Sequence, residues 1–393
     1  MPLIARAALV VVVGALLALQ VVRSAAVTDD AARATLGKRL WPSHPAVIVD
    51  RTMAEIGARA ARGQSLTPAI LSQVDRIARQ EPLAPEPFLI KGALAQVLRQ
   101  PELAEQLFAA ARARDPRSVA ARYFLADRYV RSGRTSLALA EIAALSELFP
   151  QGMAGFGPAL ATFAHAPGAV PQLRHLFRTS PHLEPVVLSA LANDSNNAKL
   201  ILALWGRRKG SADPATADWQ AKLVNALVAQ GQFTSAYGVW RLVTGTNGAG
   251  GTLFNPGFAK STVPPPFNWK FATSGGVVEP APGNRLQVIY YGRDDAILAE
   301  QLLLLSPGRY RLSMDISDPP GAGGELAWAL TCVPGTQSLL RLPIARKGPL
   351  AASFSVPQGC AAQRLQLGGN PGDFPQSQDF TIGQFSLTRV AGA

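Results

Sequence analysis

SVAARYFLADRYVRSGRTSLALAEIAALSELFP, residues 118–150, reads as two short helices joined at Gly133 and stopped at Pro150. Leu125, Ala126 and Tyr129 mark one face of the first helix, and Ala138, Ile142 and Leu145 mark the second, at the spacing that stacks side chains on a helix. Gly133 supplies the turn, and Pro150 cannot continue a helix. Working outward, Pro82, Pro116 and Pro150 lie 34 residues apart, and the same shift superposes Ala58, Gly92 and Ala126. It also superposes Ile70, Ala104 and Ala138; Val74, Phe108 and Ile142; and Ile77, Ala111 and Leu145. A self-similar period of this length signals stacked helix pairs, with small residues where helices cross closely and larger apolar residues between the faces.

This pattern resembles the tetratricopeptide repeat, with its large, small and aromatic positions on the first helix, a small one on the second and a closing proline. Further units are degenerate: Ala169, Leu173, Leu176 and Pro181; Ala198, Leu202 and Trp205; and Leu223, Leu227, Gly231, Ala236, Trp240 and Val243. About six pairs are expected from 51 to 243, stacked as a solenoid whose concave face binds a protein partner. By the resemblance, groove positions on the first helices are Leu89, Ala93 and Gln96, then Tyr123, Asp127 and Arg131, and finally Ala221, Asn225 and Val228. Tyr123, Asp127, Arg131 and Asn225 are the candidates for partner contact, with solvated helix faces as the alternative. The Lys/Asn carboxylate clamp of some members is absent.

Past Val243, the run Thr244-Gly245-Thr246-Asn247-Gly248-Ala249-Gly250-Gly251 cannot hold a helix and reads as a linker, 244–253. The periodicity then turns to alternation. In Arg309 to Ile316, the residues Tyr310, Leu312, Met314 and Ile316 face one way and Arg309, Arg311, Ser313 and Asp315 the other. Similar runs over 285–291, 302–305, 325–332, 353–356, 364–367 and 382–390, broken by Pro/Gly turns such as Asp318-Pro319-Pro320-Gly321, predict an antiparallel β-sandwich over 254–393. Phe254-Asn255-Pro256-Gly257-Phe258, Asn268-Trp269 and the closing Phe380 to Leu387 are similar to the galactose-binding-like jelly roll of carbohydrate-binding modules. Ala259 and Gly383-Gln384 stand where that family carries carboxylates, so no calcium is expected. A glycan needs an exposed aromatic platform beside planar polar groups. Tyr291 with Gln287 is the leading pair, with Arg311, Asp315 and Arg364 as companions; Trp269 and Trp328 are expected in the core.

Cys332 and Cys360 suit a disulfide between neighbouring strands, with two buried thiols as the alternative. Two cysteines and four histidines leave no metal framework in 393 residues. No metal or cofactor is expected.

The segment from Ala7 to Val22 has no charge and is continuously apolar, so residues 1–28 read as a transmembrane anchor or a cleaved signal segment, followed by a connector over 29–50. This predicts a single-pass inner-membrane protein with its bulk in the periplasm. The formal charge of +12 comes from 38 Lys+Arg against 26 Asp+Glu. It sits mainly before residue 251, where Arg112, Arg114, Arg117, Arg122, Arg128, Arg131 and Arg134 cluster. They point several ways without interleaved stacking aromatics, so nucleic acid is not an expected partner.

Glu279, Asp294, Asp295, Glu300, Asp315, Asp318, Glu325, Asp373 and Asp379 are the acids a glycan hydrolase would draw on, but no nucleophile elbow, phosphate loop or dinucleotide fingerprint accompanies them. The fold class is therefore multidomain α + β: an N-terminal transmembrane helix, an all-α helical-repeat solenoid and a C-terminal antiparallel jelly roll. The expected function is a non-enzymatic, membrane-anchored envelope scaffold, binding protein on the repeats and glycan on the sandwich, in surface polysaccharide production or secretion. The alternatives are a periplasmic assembly or quality-control scaffold with a structural β-domain, and a glycan hydrolase.

Overall fold

The computed structural model describes residues 17–28, 33–206, 214–246, 252–318, 324–373 and 376–390. Residues 1–16 of the apolar leader, 247–251 of the glycine linker and the Pro319-Pro320-Gly321 turn lie outside the described residues. The chain divides into two compact units, Met1–Phe156 and Gly157–Ala393.

The expected membrane span is overturned, and with it the single-pass inner-membrane placement. Among the described residues no helix is long and apolar enough to cross a membrane. Within the helical stretch 17–28, Ala26 and Val27 are buried in the protein.

In the first unit, α1 (Pro45–Ala61), α2 (Pro68–Gln80), α3 (Glu86–Val97), α4 (Pro101–Arg114), α5 (Val119–Arg131) and α6 (Thr135–Leu148) pair in sequence order. Thr67 and Ser118 cap α2 and α5, their hydroxyls accepting from the Ile70 and Ala121 backbone N–H groups. All nine second-helix positions of the 34-residue alignment, from Ile70 to Leu145, are buried. At the helix crossing, a Cβ on Gly92 would lie 2.9 Å from the Phe108 ring, so only glycine fits there. Ala126 fills the equivalent place one repeat on and is fully buried, whereas Ala58 in the first copy is exposed.

The arginine cluster holds these pairs together. Buried Glu141 on α6 accepts from Arg112 of α4 and, at 2.7 Å, from Arg122 of α5. Burial, and then the Arg112 charge, lower the Arg122 pKa. Arg134 grips both oxygens of Glu105 at 2.6 and 2.5 Å. That hydrogen bond, aided by Arg128, holds the Glu105 carboxyl below its ordinary value. Arg114 lies 3.6 Å over the Phe88 ring and donates to the Pro82 carbonyl.

The second unit opens with α7 (Gly157–Phe163), α8 (Ala169–Thr179), α9 (Leu183–Leu191), α10 (Ala198–Trp205), α11 (Pro214–Ala229) and α12 (Phe233–Thr244). Here α7 packs on α9, α8 on α10 and α9 on α11, while α11 and α12 form a regular pair. Trp240 of α12 is buried against Phe254 and Phe267, and its indole N–H donates to the Pro264 carbonyl at 2.8 Å. The last helix pair therefore shares an aromatic cluster with the segment that opens the sandwich.

The sandwich has two antiparallel five-stranded sheets, β1-β4-β9-β6-β7 and β2-β3-β10-β5-β8. Its strands are β1 (Lys270–Phe271), β2 (Gly276–Ala281), β3 (Arg285–Tyr290), β4 (Ala296–Leu303), β5 (Gly308–Ser317), β6 (Gly324–Val333), β7 (Ser338–Pro343), β8 (Gly348–Val356), β9 (Ala362–Pro371) and β10 (Gln378–Arg389). That alternation of strands between two sheets is a jelly roll. Trp328, Tyr290, Tyr310, Phe258 and Phe380 fill the space between the sheets, with Trp269 packed edge-on to Trp328. Cys332 and Cys360 are disulfide-bonded, with Cα atoms 5.5 Å apart.

Candidate functional site

The expected glycan-binding set does not assemble. Gln287, Arg311 and Asp315 lie on the outer face of the β2-β3-β10-β5-β8 sheet, since Leu286, Val288, Leu312 and Ile316 point into the core. The register Gln287↔Thr381↔Ser317 puts Tyr291, just past β3, about 20 Å along the strands from Asp315 and farther from Arg311. Arg364 belongs to β9 of the other sheet, so the sandwich separates it from the rest. Gln287 is engaged at both ends of its amide, donating to Asp379 and accepting from Thr381. Tyr291 is exposed.

What the fold assembles instead is a trough at one end of the sandwich, where the β1–β2 turn meets the β3–β4 turn. It encloses about 380 Å³ and is lined by Lys270, Phe271, Thr273, Ser274, Gly275, Asp294, Asp295 and Glu300, among others. This is at the lower end of the range for small-molecule sites. Lys270 stands opposite Glu300 in the β1–β4 register, and the Ala272 N–H donates to the Leu298 carbonyl at 2.9 Å. The two turns are tied: the Tyr291 N–H donates to the Gly275 carbonyl at 3.1 Å, and the buried Tyr290 hydroxyl donates to the Asp294 carbonyl at 2.8 Å. Burial, then the Asp295 and Asp294 charges, push the Tyr290 pKa up, keeping that hydroxyl a donor. Gly275 has φ +76, and a Cβ there would meet the Ala296 Cβ at 2.7 Å. A side chain at that point would force the turns apart.

Chemically, the trough offers one half-buried aromatic ring, two hydroxyls, a lysine and three carboxylates. The Phe271 ring is backed by Trp269 in parallel, 6.5 Å between centroids. Glu300 is oriented by the Gln366 amide at 2.5 Å and lies 3.9 Å from Arg364. Among the described residues no group of three or more His, Cys, Asp or Glu is placed to hold a metal ion.

Sequence reasoning named Asp294, Asp295 and Glu300 only as acids for hydrolysis and passed over Phe271, Thr273 and Ser274. The signal for them was the Thr273-Ser274-Gly275-Gly276 turn signature directly after Trp269-Lys270-Phe271. Pairing that turn with the one at 291–295 is a matter of topology, which no local pattern carries.

On the helices, Tyr123 is exposed, with its ring 5.0 Å from Phe156. Asp127 and Arg131 form an i,i+4 pair at 2.9 Å and line a cavity of about 300 Å³ with Gln96. Asn225 is exposed on α11, in the other compact unit.

No family model matches the chain, and no curated protein does. Among solved structures, one described as "CBM4 structure and function" aligns with 35% of this chain and 99% of its own, at 10% identity and a TM-score of 0.27. TmCBM61 in complex with β-1,4-galactotriose aligns with 36% of this chain and 99% of its own, at 17% identity and a TM-score of 0.27. The enzymatically active domain of bacteriophage CBA120 tailspike protein 4 aligns over 36% of this chain but only 21% of its own, at 13% identity and a TM-score of 0.26. Likeness at this level carries no argument. The jelly roll stands on its strand order, and the tetratricopeptide resemblance stands only as helical repeats.

Proposed function

We propose that this chain is a non-enzymatic scaffold whose jelly roll binds glycan in the trough between the β1–β2 and β3–β4 turns, and whose helical repeats receive a protein partner. The observation that supports this best is the composition of the trough. Pyranose rings present C–H faces, which pack on an aromatic ring, and rims of hydroxyls, which carboxylates and hydroxyls bond in pairs. Phe271 supplies the ring, while Asp294, Asp295, Thr273 and Ser274 supply acceptors and donors beside it. In this reading the production or secretion of polysaccharide is the setting in which glycan and partner are brought together.

The test is a glycan microarray probed with the full chain and with its Asp295→Ala and Phe271→Ala variants. Wild type retains a defined subset of neutral or acidic oligosaccharides, and each variant loses at least ten-fold in affinity for them. Absence of any bound glycan, or binding unchanged in both variants, contradicts the proposal. Release of new reducing ends from a bound glycan would replace a binding role with hydrolysis.

A further inference from the structure

Arg99 sits at a backbone position that glycine holds in two other helix pairs, with Ser65 at the same shift in the first. The 34-residue shift places it on Gly133, and each lies two residues before its second helix, α4 at Pro101 and α6 at Thr135. Gly231 holds the same place before α12 at Phe233. All three are left-handed, with φ 70° at Gly133, 69° at Gly231 and 57° at Arg99. A side chain in that conformation is strained, and glycine would relieve it. Strain kept at a turn points to a use for the side chain.

The surroundings show what that use is. Arg99 lines the cavity of about 300 Å³ together with Gln96, Phe124, Asp127 and Arg131. Arg131 is neutralised by Asp127 at 2.9 Å, and Arg128 by Glu102 and Glu105 at 3.2 and 3.3 Å. Arg99 has no hydrogen bond or ion pair from its guanidinium among the described residues, which leaves one uncompensated positive charge at the cavity. Phe124, stacked on Phe108 at 4.0 Å, gives the cavity an aromatic wall. Outside the cavity lining but close to Arg99 in sequence, Val97, Leu98 and Leu103 are exposed by 78%, 58% and 44%. Exposed aliphatic side chains within four residues of a lone guanidinium suit a peptide better than a sugar, whose hydroxyls would gain nothing from them.

We infer that this cavity is a docking site for a linear peptide segment of a partner protein, with a carboxylate paired to Arg99 and a neighbouring aliphatic side chain on Val97, Leu98 and Leu103. The inference rests on the proposed role of the repeats in receiving a protein and is independent of the glycan trough. Arg99 differs from the groove positions read from the sequence in lying at the turn between two helices.

The test is selection of a random linear peptide display library on the full chain, then affinity of the selected peptides for wild type, Arg99→Gly and Arg99→Glu. Wild type enriches peptides with an Asp or Glu beside Leu, Ile or Val. Arg99→Gly binds them at least ten-fold more weakly yet melts at the same or a higher temperature, because glycine relieves the turn; lost binding with raised stability cannot come from misfolding. Arg99→Glu abolishes binding. Failure to enrich acidic peptides, or equal affinity in Arg99→Gly, overturns the inference. A parallel titration with galacturonic acid oligosaccharides that bind wild type and not Arg99→Gly overturns the peptide assignment in favour of an acidic glycan. Loss of glycan binding through the Phe271 variant leaves these peptide results untouched, so the two proposals fail separately.

Discussion

The repeats of α1–α6 and the jelly roll of β1–β10 each bury an apolar core, but charge plays a different part in the two. Between the repeats, the contacts run through arginine: Glu141 joins α6 to α4 and α5, and Glu105 joins α4 to Arg128 and Arg134. In the sandwich, the interior is aromatic and aliphatic from Leu253 to Leu387, and a covalent bond ties β6 to the start of β9. The high arginine content therefore marks how the helices are fastened together and is not a general binding surface. Six of the seven clustered arginines have their guanidinium groups engaged within the protein. The difference also directs where ligand chemistry is sought: on the helices, at a guanidinium left over from pairing, and on the sandwich, at polar turns outside a closed core.

The largest blow to this contrast is Trp328→Ala, which empties the centre of the sandwich beside Trp269 and Phe385. It costs about 3–5 kcal/mol. Limited proteolysis should then open sites within 254–390 while α1–α6 stay protected; simultaneous cleavage throughout would break the contrast. Next is the disulfide, which closes a separation of 28 residues. Replacing both cysteines with serine costs about 3–4 kcal/mol on the loop-entropy account. A denaturation midpoint insensitive to reductant would contradict it.

Glu141→Gln sharpens the other side. It removes a buried charge that faces Arg112 and Arg122, at a cost of about 2–3 kcal/mol. Amide hydrogen exchange should speed up in α4, α5 and α6 and remain unchanged in β1–β10. Acid gives the smallest effect. Hydrogen bonding to Arg134 lowers the Glu105 carboxyl below 4.5, and hydrogen bonding to Lys91 lowers Asp75 below 3.8. A depressed carboxylate contributes stability above its unfolded value and loses it as pH falls through the folded one, so helix stability drops below about pH 4. Asp75 and Lys91 are open to solvent and Glu105 is half-buried, so screening keeps the effect small. Tyr290 runs the other way: its raised value withdraws stability from the sandwich only above about pH 10. Urea titrations read by amide hydrogen exchange in α1–α6 and in β1–β10 separate the two; an acid loss larger in the sandwich would reverse the comparison.

How far the sequence reveals these regions follows the same division. The 34-residue period exposes the helix pairs because the second-helix positions repeat as buried residues, as in Val74, Phe108 and Ile142. It fades over 157–205, where short helices pack on the next but one. In the sandwich, strands flanked on both sides, such as β3 and β5, alternate cleanly and are read correctly. The strands overlooked, β1, β2 and β7, are all edges of their sheets. Edge strands tolerate proline and need only one paired side, so Pro280 and Pro343 disguise β2 and β7 as loops. The trough depends on β1 and on two turns distant in sequence, so its residues were seen individually and never as a site. The outer-face grouping of Tyr291 with Arg311, Asp315 and Arg364 failed for the complementary reason: alternation gives the face of a strand but not its place in the sheet order.

The most direct test of the central claim is hydrogen–deuterium exchange of the full chain with and without the tightest-binding oligosaccharide from the array. Added protection confined to 270–275 and 291–300 is the result the trough predicts. Protection on the outer face around Arg311 and Asp315 instead, or none within 254–390, would contradict it.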